Sequence, residues 1–162
     1  MKRSVNGLYK HFRDDNLMGY THYFRQERHA TDKEWFALCS DFTKLRASAL
    51  ITTHVFPIQR EYDDAAEVVI NSEEIRFNGI GEDGHETMLM MSKGDGFQFC
   101  KTAEKPYDEA VKALLILAHH HAPGCWSIQS DGGLTDWQPT LDWMNTLGLG
   151  TFVLPPDLRE ES

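Results

Sequence analysis

The residues of this chain best suited to chemistry lie in four short stretches. The first, Gly79-Ile80-Gly81-Glu82-Asp83-Gly84, carries the letters of the dinucleotide fingerprint Gly-x-Gly-x-x-Gly. That fingerprint works by aiming a helix N-terminus at a pyrophosphate. Here His85 to Met91 reads as a strand, and Glu82 and Asp83 repel phosphate, so a loop between strands is expected instead. The same loop places Glu82, Asp83, His85 and Glu86 within five residues, a set able to hold a divalent cation or to supply acid–base groups. The run His85-Glu86-Thr87-Met88-Leu89 lacks the second histidine of the zinc-protease motif. On a strand His85 and Glu86 point to opposite faces, so the spacing favours a polar loop with a binding role and no metal.

The second stretch runs Phe99-Cys100-Lys101-Thr102-Ala103-Glu104-Lys105-Pro106-Tyr107, a strand-to-helix junction. Lys101, Thr102 and Lys105 surround a helix N-terminus there. Exposed backbone N–H groups, the helix dipole and two ammonium groups together suit an anion. The rival reading is a solvated junction that Thr102 helps to cap. The third stretch, His119-His120-His121, closes a helix. Consecutive helical residues fan about 100° apart, so the three do not share one metal, and a structural or capping role fits better. The fourth, Ser127 to Gly133, runs from a strand towards the last helix. Ser130, Asp131 and one histidine could compose a Ser–His–Asp hydrolase, but no Gly-x-Ser-x-Gly elbow supports it. Cys100 alternates with Phe97 and Phe99 on a strand expected to be buried, which gives no support to a nucleophilic thiol.

These stretches need elements to hold them. Gly19–Gln26 is dense in aromatic and β-branched residues and reads as a strand. Thr31 followed by Glu34 is a capping-box signature, and Trp35, Leu38, Cys39, Phe42, Leu45 and Ala49 then recur at helical spacing. Residues 51–56 add a short strand and 57–65 a loop. Val68–Ile70 and Ile75–Phe77 read as strands joined across Asn71 to Glu74. Glu86–Met91 and Phe97–Lys101 flank Lys93-Gly94-Asp95-Gly96, which predicts a hairpin. Pro106 opens a helix to about His121 that is apolar almost all round and therefore central. Cys125–Ser130 is a last strand, and Thr135 or Asp136 caps a final helix to Leu147, stopped at Gly148. The pattern predicts an α+β fold: an antiparallel or mixed sheet with about three helices packed mainly on one face. Residues 1–17 are expected as an arm, 18–150 as a single domain and 151–162 as a surface tail.

The bulk properties narrow the class. Residues 1–60 carry ten Lys/Arg against six Asp/Glu, or +4, and residues 61–162 six against nineteen, or −13, which gives the net −9. So acidic a body disfavours direct contact with nucleic acid, whose affinity comes mainly from phosphate neutralisation. It suits either a solvated surface or a basic protein partner. Three widely spaced cysteines with no Cys-x-x-Cys pair argue against a disulfide framework. The longest apolar run, Ala113 to Ala118, is too short to span a bilayer, and no secretory signal opens the chain. A cytoplasmic protein, free of the membrane, is the expectation.

Several segments recur together in one order: Met18 to Phe24, Phe77-Asn78-Gly79, Glu82 to Thr87, Phe99 to Ala103, Lys105 to Asp108, Ser130-Asp131-Gly132 and Asp136-Trp137. In these the chain resembles a family of small, largely uncharacterised proteins of bacteriophages and bacteria that open with Met-Gly-Tyr-Thr-His-Tyr and an aromatic residue. The likeness covers roughly residues 18 to 148, with Phe24 where Trp is usual and residues 1–17 ahead of the usual start. It implies a phage or prophage origin, and so the cytoplasm of a bacterial host, but brings no activity or cofactor. It does imply a selection of residues: His22, His85, Glu86, Lys101, Thr102, Lys105, Tyr107, Asp131 and Trp137, converging at one end of the sheet. Such a mixture suits a small anionic or nucleotide-like ligand, with Lys101 and Lys105 on phosphate and Tyr107 or Trp137 stacking. A phage protein of this kind can sequester a host defence signal. Two alternatives stand beside it: a metal-assisted hydrolase of a phosphoester using Asp83, His85, Glu86 and Asp131, and an acidic inhibitor covering a basic host protein. Either is compatible with a homo-oligomer.

Overall fold

The computed structural model describes residues 19–51, 56–60 and 67–160. The expected arm (1–17) and residues 52–55 of the expected strand 51–56 lie outside the described residues. Strand β1 (Thr21–Gln26) is followed by helix α1 (Asp32–Ile51). The expected capping box is present: Glu34 N–H donates to Thr31 Oγ1 at 3.1 Å, and Thr31 N–H to Glu34 Oε2 at 2.8 Å. Trp35, Leu38, Phe42, Leu45 and Ala49 form the buried stripe. Each large side chain of that stripe contributes about 1.5–3 kcal/mol by leaving water.

Next come β2 (Ile58–Gln59), β3 (Val69–Ile70) and β4 (Glu74–Gly79), then a 3₁₀ turn (Gly81–Asp83) and β5 (Met88–Met91). Ile51 is the last helical residue and Ile58–Gln59 is extended, which reverses the expected strand and loop at those positions. The turn between β3 and β4 is held by the Asn71 side chain, which accepts from the N–H groups of Glu73 and Glu74, both at 2.9 Å. Strand β6 (Gly96–Lys101), helix α2 (Asp108–His121), strand β7 (Trp126–Ser130) and helix α3 (Leu134–Asn145) complete the chain order. Helix α2 starts at Asp108 rather than at Pro106. Helix α3 is capped from Gly133, whose N–H donates to Asp136 Oδ2 at 3.1 Å, rather than by Thr135 or Asp136 as first residue.

Two antiparallel sheets result. One has the order β6-β1-β7; in the other β4 pairs with β2, β3 and β5. The expected hairpin at Lys93–Gly96 does not form as a ladder. Its two strands part, β5 onto β4 and β6 onto β1, so the turn carries the chain from one sheet to the other. Gln26 fixes this crossover by accepting from Gly94 N–H at 2.7 Å and donating to Ser92 O at 2.9 Å.

Helix α2 packs between α1 and α3 and is buried all along Ala110–Ala118, which matches its apolar periphery. His121 Nε2 pairs with Asp41 Oδ2 of α1 at 2.7 Å and His120 packs on Phe152, so these two histidines serve the packing of the fold. The segment after Gly150 is less superficial than expected, with Phe152 and Leu158 buried. The fold is α+β, with three α-helices and two antiparallel sheets among the described residues. No helix among the described residues is long and apolar enough to cross a membrane.

Strand alternation gives the three-stranded sheet two different faces. His22, Phe24, Cys100, Trp126 and Ile128 are buried on the inner face. Tyr23, Arg25, Phe97, Phe99 and Gln129 sit on the outer face, where Phe97 is 48% and Phe99 53% exposed. The expectation that the Phe97–Phe99 strand is buried is therefore corrected: it is half covered, and Phe97 and Phe99 belong to the open side.

Candidate functional site

Strand register brings the selected residues to one end of the three-stranded sheet. Thr21 lies opposite Lys101, and His22 opposite both Cys100 and Ser130. The start of β1 and the ends of β6 and β7 thus coincide, and short connections lead from them into α2 and α3. Glu86 joins from the loop before β5: its N–H donates to Lys101 O at 3.2 Å, and its Oε2 accepts from Lys101 N–H at 2.7 Å. At this end the residues separate into a buried layer and a surface layer.

The buried layer centres on Asp108. His22 Nε2 approaches Asp108 Oδ1 at 2.6 Å, and the Thr102 hydroxyl donates to the same oxygen at 2.5 Å. Lys112 Nζ lies 3.3 Å from Asp108 Oδ2 and 3.3 Å from Glu109 Oε1, and donates to Asp136 O at 3.0 Å. Burial alone raises a carboxyl pKa, but His22, Lys112 and Thr102 outweigh it and hold Asp108 below its ordinary value. Asp108 and Glu109 in turn outweigh the burial of Lys112 and raise its pKa. An ionised carboxylate only accepts, so His22 Nε2 carries the proton of that bond. Tyr20 and Trp137 close over the His22 ring edge to face, each with centroids 5.2 Å away.

The other nitrogen, His22 Nδ1, lies 2.8 Å from Ser130 Oγ. Ser130, His22 and Asp108 are therefore connected in the order of an activated serine, with Asp108 in the place expected for Asp131. Acyl transfer also needs N–H donors aimed at a developing oxyanion. In the turn after Ser130 these donors are spent: Gly132 N–H on Ser130 Oγ at 2.9 Å, Asp131 N–H on Thr21 O at 3.0 Å, and Gly133 N–H on Asp136. His22 is wholly buried. The constellation ties β1 and β7 to α2. Asp131 instead accepts from Thr21 N–H at 3.0 Å and from the Tyr23 hydroxyl at 3.2 Å, which fixes the start of β1.

Two expected roles are corrected by this layer. Tyr107 and Trp137 are wholly buried, so neither ring offers a face to a ligand. The Tyr107 hydroxyl is an anchor, donating to Glu86 O at 2.6 Å. The anion site at the α2 N-terminus is also displaced. Thr102 is committed to Asp108, and the groove of about 270 Å³ beside it is lined by Glu104, Asp108, Glu109 and Asp136 against Lys105 and Lys112. Four carboxylates against two ammonium groups repel an anion.

The surface layer is different in character. Asn78, buried below it, binds the loop of the 3₁₀ turn from inside: it donates to His85 O at 2.8 Å and Thr87 Oγ1 at 3.1 Å, and accepts from His85 N–H at 3.0 Å. His85 is thereby presented outward, exposed, near Lys101 and Lys105. Partial burial, then Lys101 and Lys105, lower the pKa of its imidazole, while Glu86 opposes them. Beyond Lys101, on the same side of β6, come Phe99 and Phe97. Tyr23 stacks on Phe97 at 6.2 Å, Phe97 and Phe99 lie 6.1 Å apart, and the Arg25 guanidinium sits 5.6 Å over the Phe97 ring. A shallow hollow of about 230 Å³ opens here among Tyr23, Arg25, Glu27, Phe97, Ser127 and Gln129. Among the described residues neither Arg25 nor the Lys101 ammonium forms an ion pair.

No three His, Cys, Asp or Glu side chains among the described residues are grouped to hold a metal ion, so Asp83, His85, Glu86 and Asp131 do not form the cluster that the hydrolase alternative requires. Sequence reasoning passed over Tyr23, Arg25, Phe97, Phe99 and Asn78 as site residues. Alternation was the signal for the first four: Phe97, Phe99 and Lys101 share one face and Cys100 the other. No family model, curated protein or solved structure matches the chain.

Proposed function

We propose that this protein binds a small anionic, nucleotide-like ligand on the outer face of its three-stranded sheet, with phosphate at the end where Lys101 and His85 meet. The observation that carries this reading is the pair of exposed rings, Phe97 and Phe99, with half-buried Tyr23 stacked on Phe97, flanked by two cations free of ion pairs among the described residues, Arg25 and Lys101. Large aromatic side chains left in water on a sheet mark a binding surface more often than a packing accident. A base stacked on an aromatic ring gains about 1–3 kcal/mol, and the neighbouring ammonium and guanidinium supply charge-assisted bonds to phosphate. Binding without turnover is favoured because the N–H donors around Ser130 are already bonded. A chain of this kind lowers the free concentration of its ligand, which is the sequestration expected of a phage protein acting on a host defence signal.

The test is calorimetric titration with nucleotides of wild type, Phe99→Ala and Lys101→Ala. Saturable binding in wild type is expected, weakened about tenfold or more in both variants. Heats that are absent for every nucleotide, or unchanged by these substitutions, overturn the reading.

A further inference from the structure

The outer face offers more than one nucleotide can use. Phe97 and Phe99 are separate seats, 6.1 Å apart, each about half exposed. Cations stand at both ends of the row. Arg25 lies opposite Phe97, whereas Lys101 is four residues further along β6, about 13 Å at the usual rise per residue. One base and one phosphate can occupy one ring and one end only. Engaging both rings and both cations takes two bases on one phosphodiester backbone.

The ring spacing also says how those bases are held. Bases stacked on one another sit far closer than 6.1 Å, so two bases on Phe97 and Phe99 must be splayed apart, as single strands allow and duplexes do not. The net charge of −9 opposes a long polyanion lying along the molecule. From this we infer that the ligand is a dinucleotide, two bases joined by a phosphodiester, lying along β6 with its bases on Phe97 and Phe99 and its charges towards Arg25 and Lys101. The inference rests on the binding role proposed above and sharpens it to a ligand class.

Calorimetry across an adenylate series tests it: the mononucleotide, the linear dinucleotide, the cyclic dinucleotide and the linear trinucleotide. Affinity should rise about tenfold or more from mononucleotide to dinucleotide and change by less than about threefold at the third residue. The better of the linear and cyclic forms identifies how the two bases are joined. In Phe97→Ala the ratio of dinucleotide to mononucleotide affinity should fall to about one, and Phe97→Trp should restore the ratio. Equal affinity for one and two bases, or equal loss for both in Phe97→Ala, overturns the dinucleotide and leaves the binding role standing. No binding by any member overturns both. Circular dichroism of the exposed-ring variants verifies that they remain folded.

Discussion

Asp108 shows how much one residue can organise. It is buried and collects His22, Thr102 and Lys112 on its two oxygens. Replacing one member of such a network leaves buried charge uncompensated, which costs about 3–5 kcal/mol. Asp108→Asn should therefore lose stability of that order in urea denaturation at pH 7. The folded pKa of Asp108 lies below its unfolded value. Its contribution is accordingly present above the unfolded carboxyl's value, about pH 4, and is lost as pH falls towards the lower folded value. Denaturation curves from pH 7 to pH 2 should show this acid loss in wild type and a smaller one in Asp108→Asn; parallel curves would contradict the assignment. His22 was legible in the sequence as a residue of interest, yet its partner was not. The two are 86 positions apart, and no local pattern marks a side chain that long-range pairing buries. Tyr107 and Trp137 were misread for the converse reason: an aromatic residue beside polar ones looks like a ligand platform until burial is known.

Elements were more legible than their partners. The capping box of α1, the buried girth of α2 and the Asn71 turn follow from local chemistry and are all present. The crossover at Lys93–Gly96 was read as a hairpin because its residues specify a reversal. A turn does not choose which strand completes the ladder; β1 and β4 compete for the two strands and win them. The loop that presents His85 depends on close backbone approach at Gly79, where an added Cβ would lie 2.2 Å from Asp83 O. Gly79→Ala should lower stability by about 1–3 kcal/mol through this overpacking and shift the His85 side-chain resonances by NMR. A variant with wild-type Tm and unmoved His85 signals would show that the loop is not held as described. The open face was hidden by a similar gap in local information: alternation separates Phe97 and Phe99 from Cys100, but only the stacking of helices on one side decides which set meets water.

At the scale of the whole molecule, the net charge of −9 and the cationic end of the outer face pull in opposite directions. Bulk composition spoke for an ordinary globular chain and against direct contact with nucleic acid, but it does not say where on the surface each charge lies. Two cations and three rings on one face are too few to alter the average. The groove at the α2 N-terminus, favoured by the sequence for its lysines, is the acidic alternative location. The two places are distinguished most directly by mapping amide shifts in ¹H–¹⁵N NMR during titration with the adenylate dinucleotide. Saturating shifts confined to Tyr23, Arg25, Phe97, Phe99, Lys101, Gln129 and the neighbouring His85 loop are the predicted result. Shifts centred on Glu104–Lys112 and Thr135–Pro139, or none at ligand concentrations in large excess, would contradict the placement of the site on the open sheet.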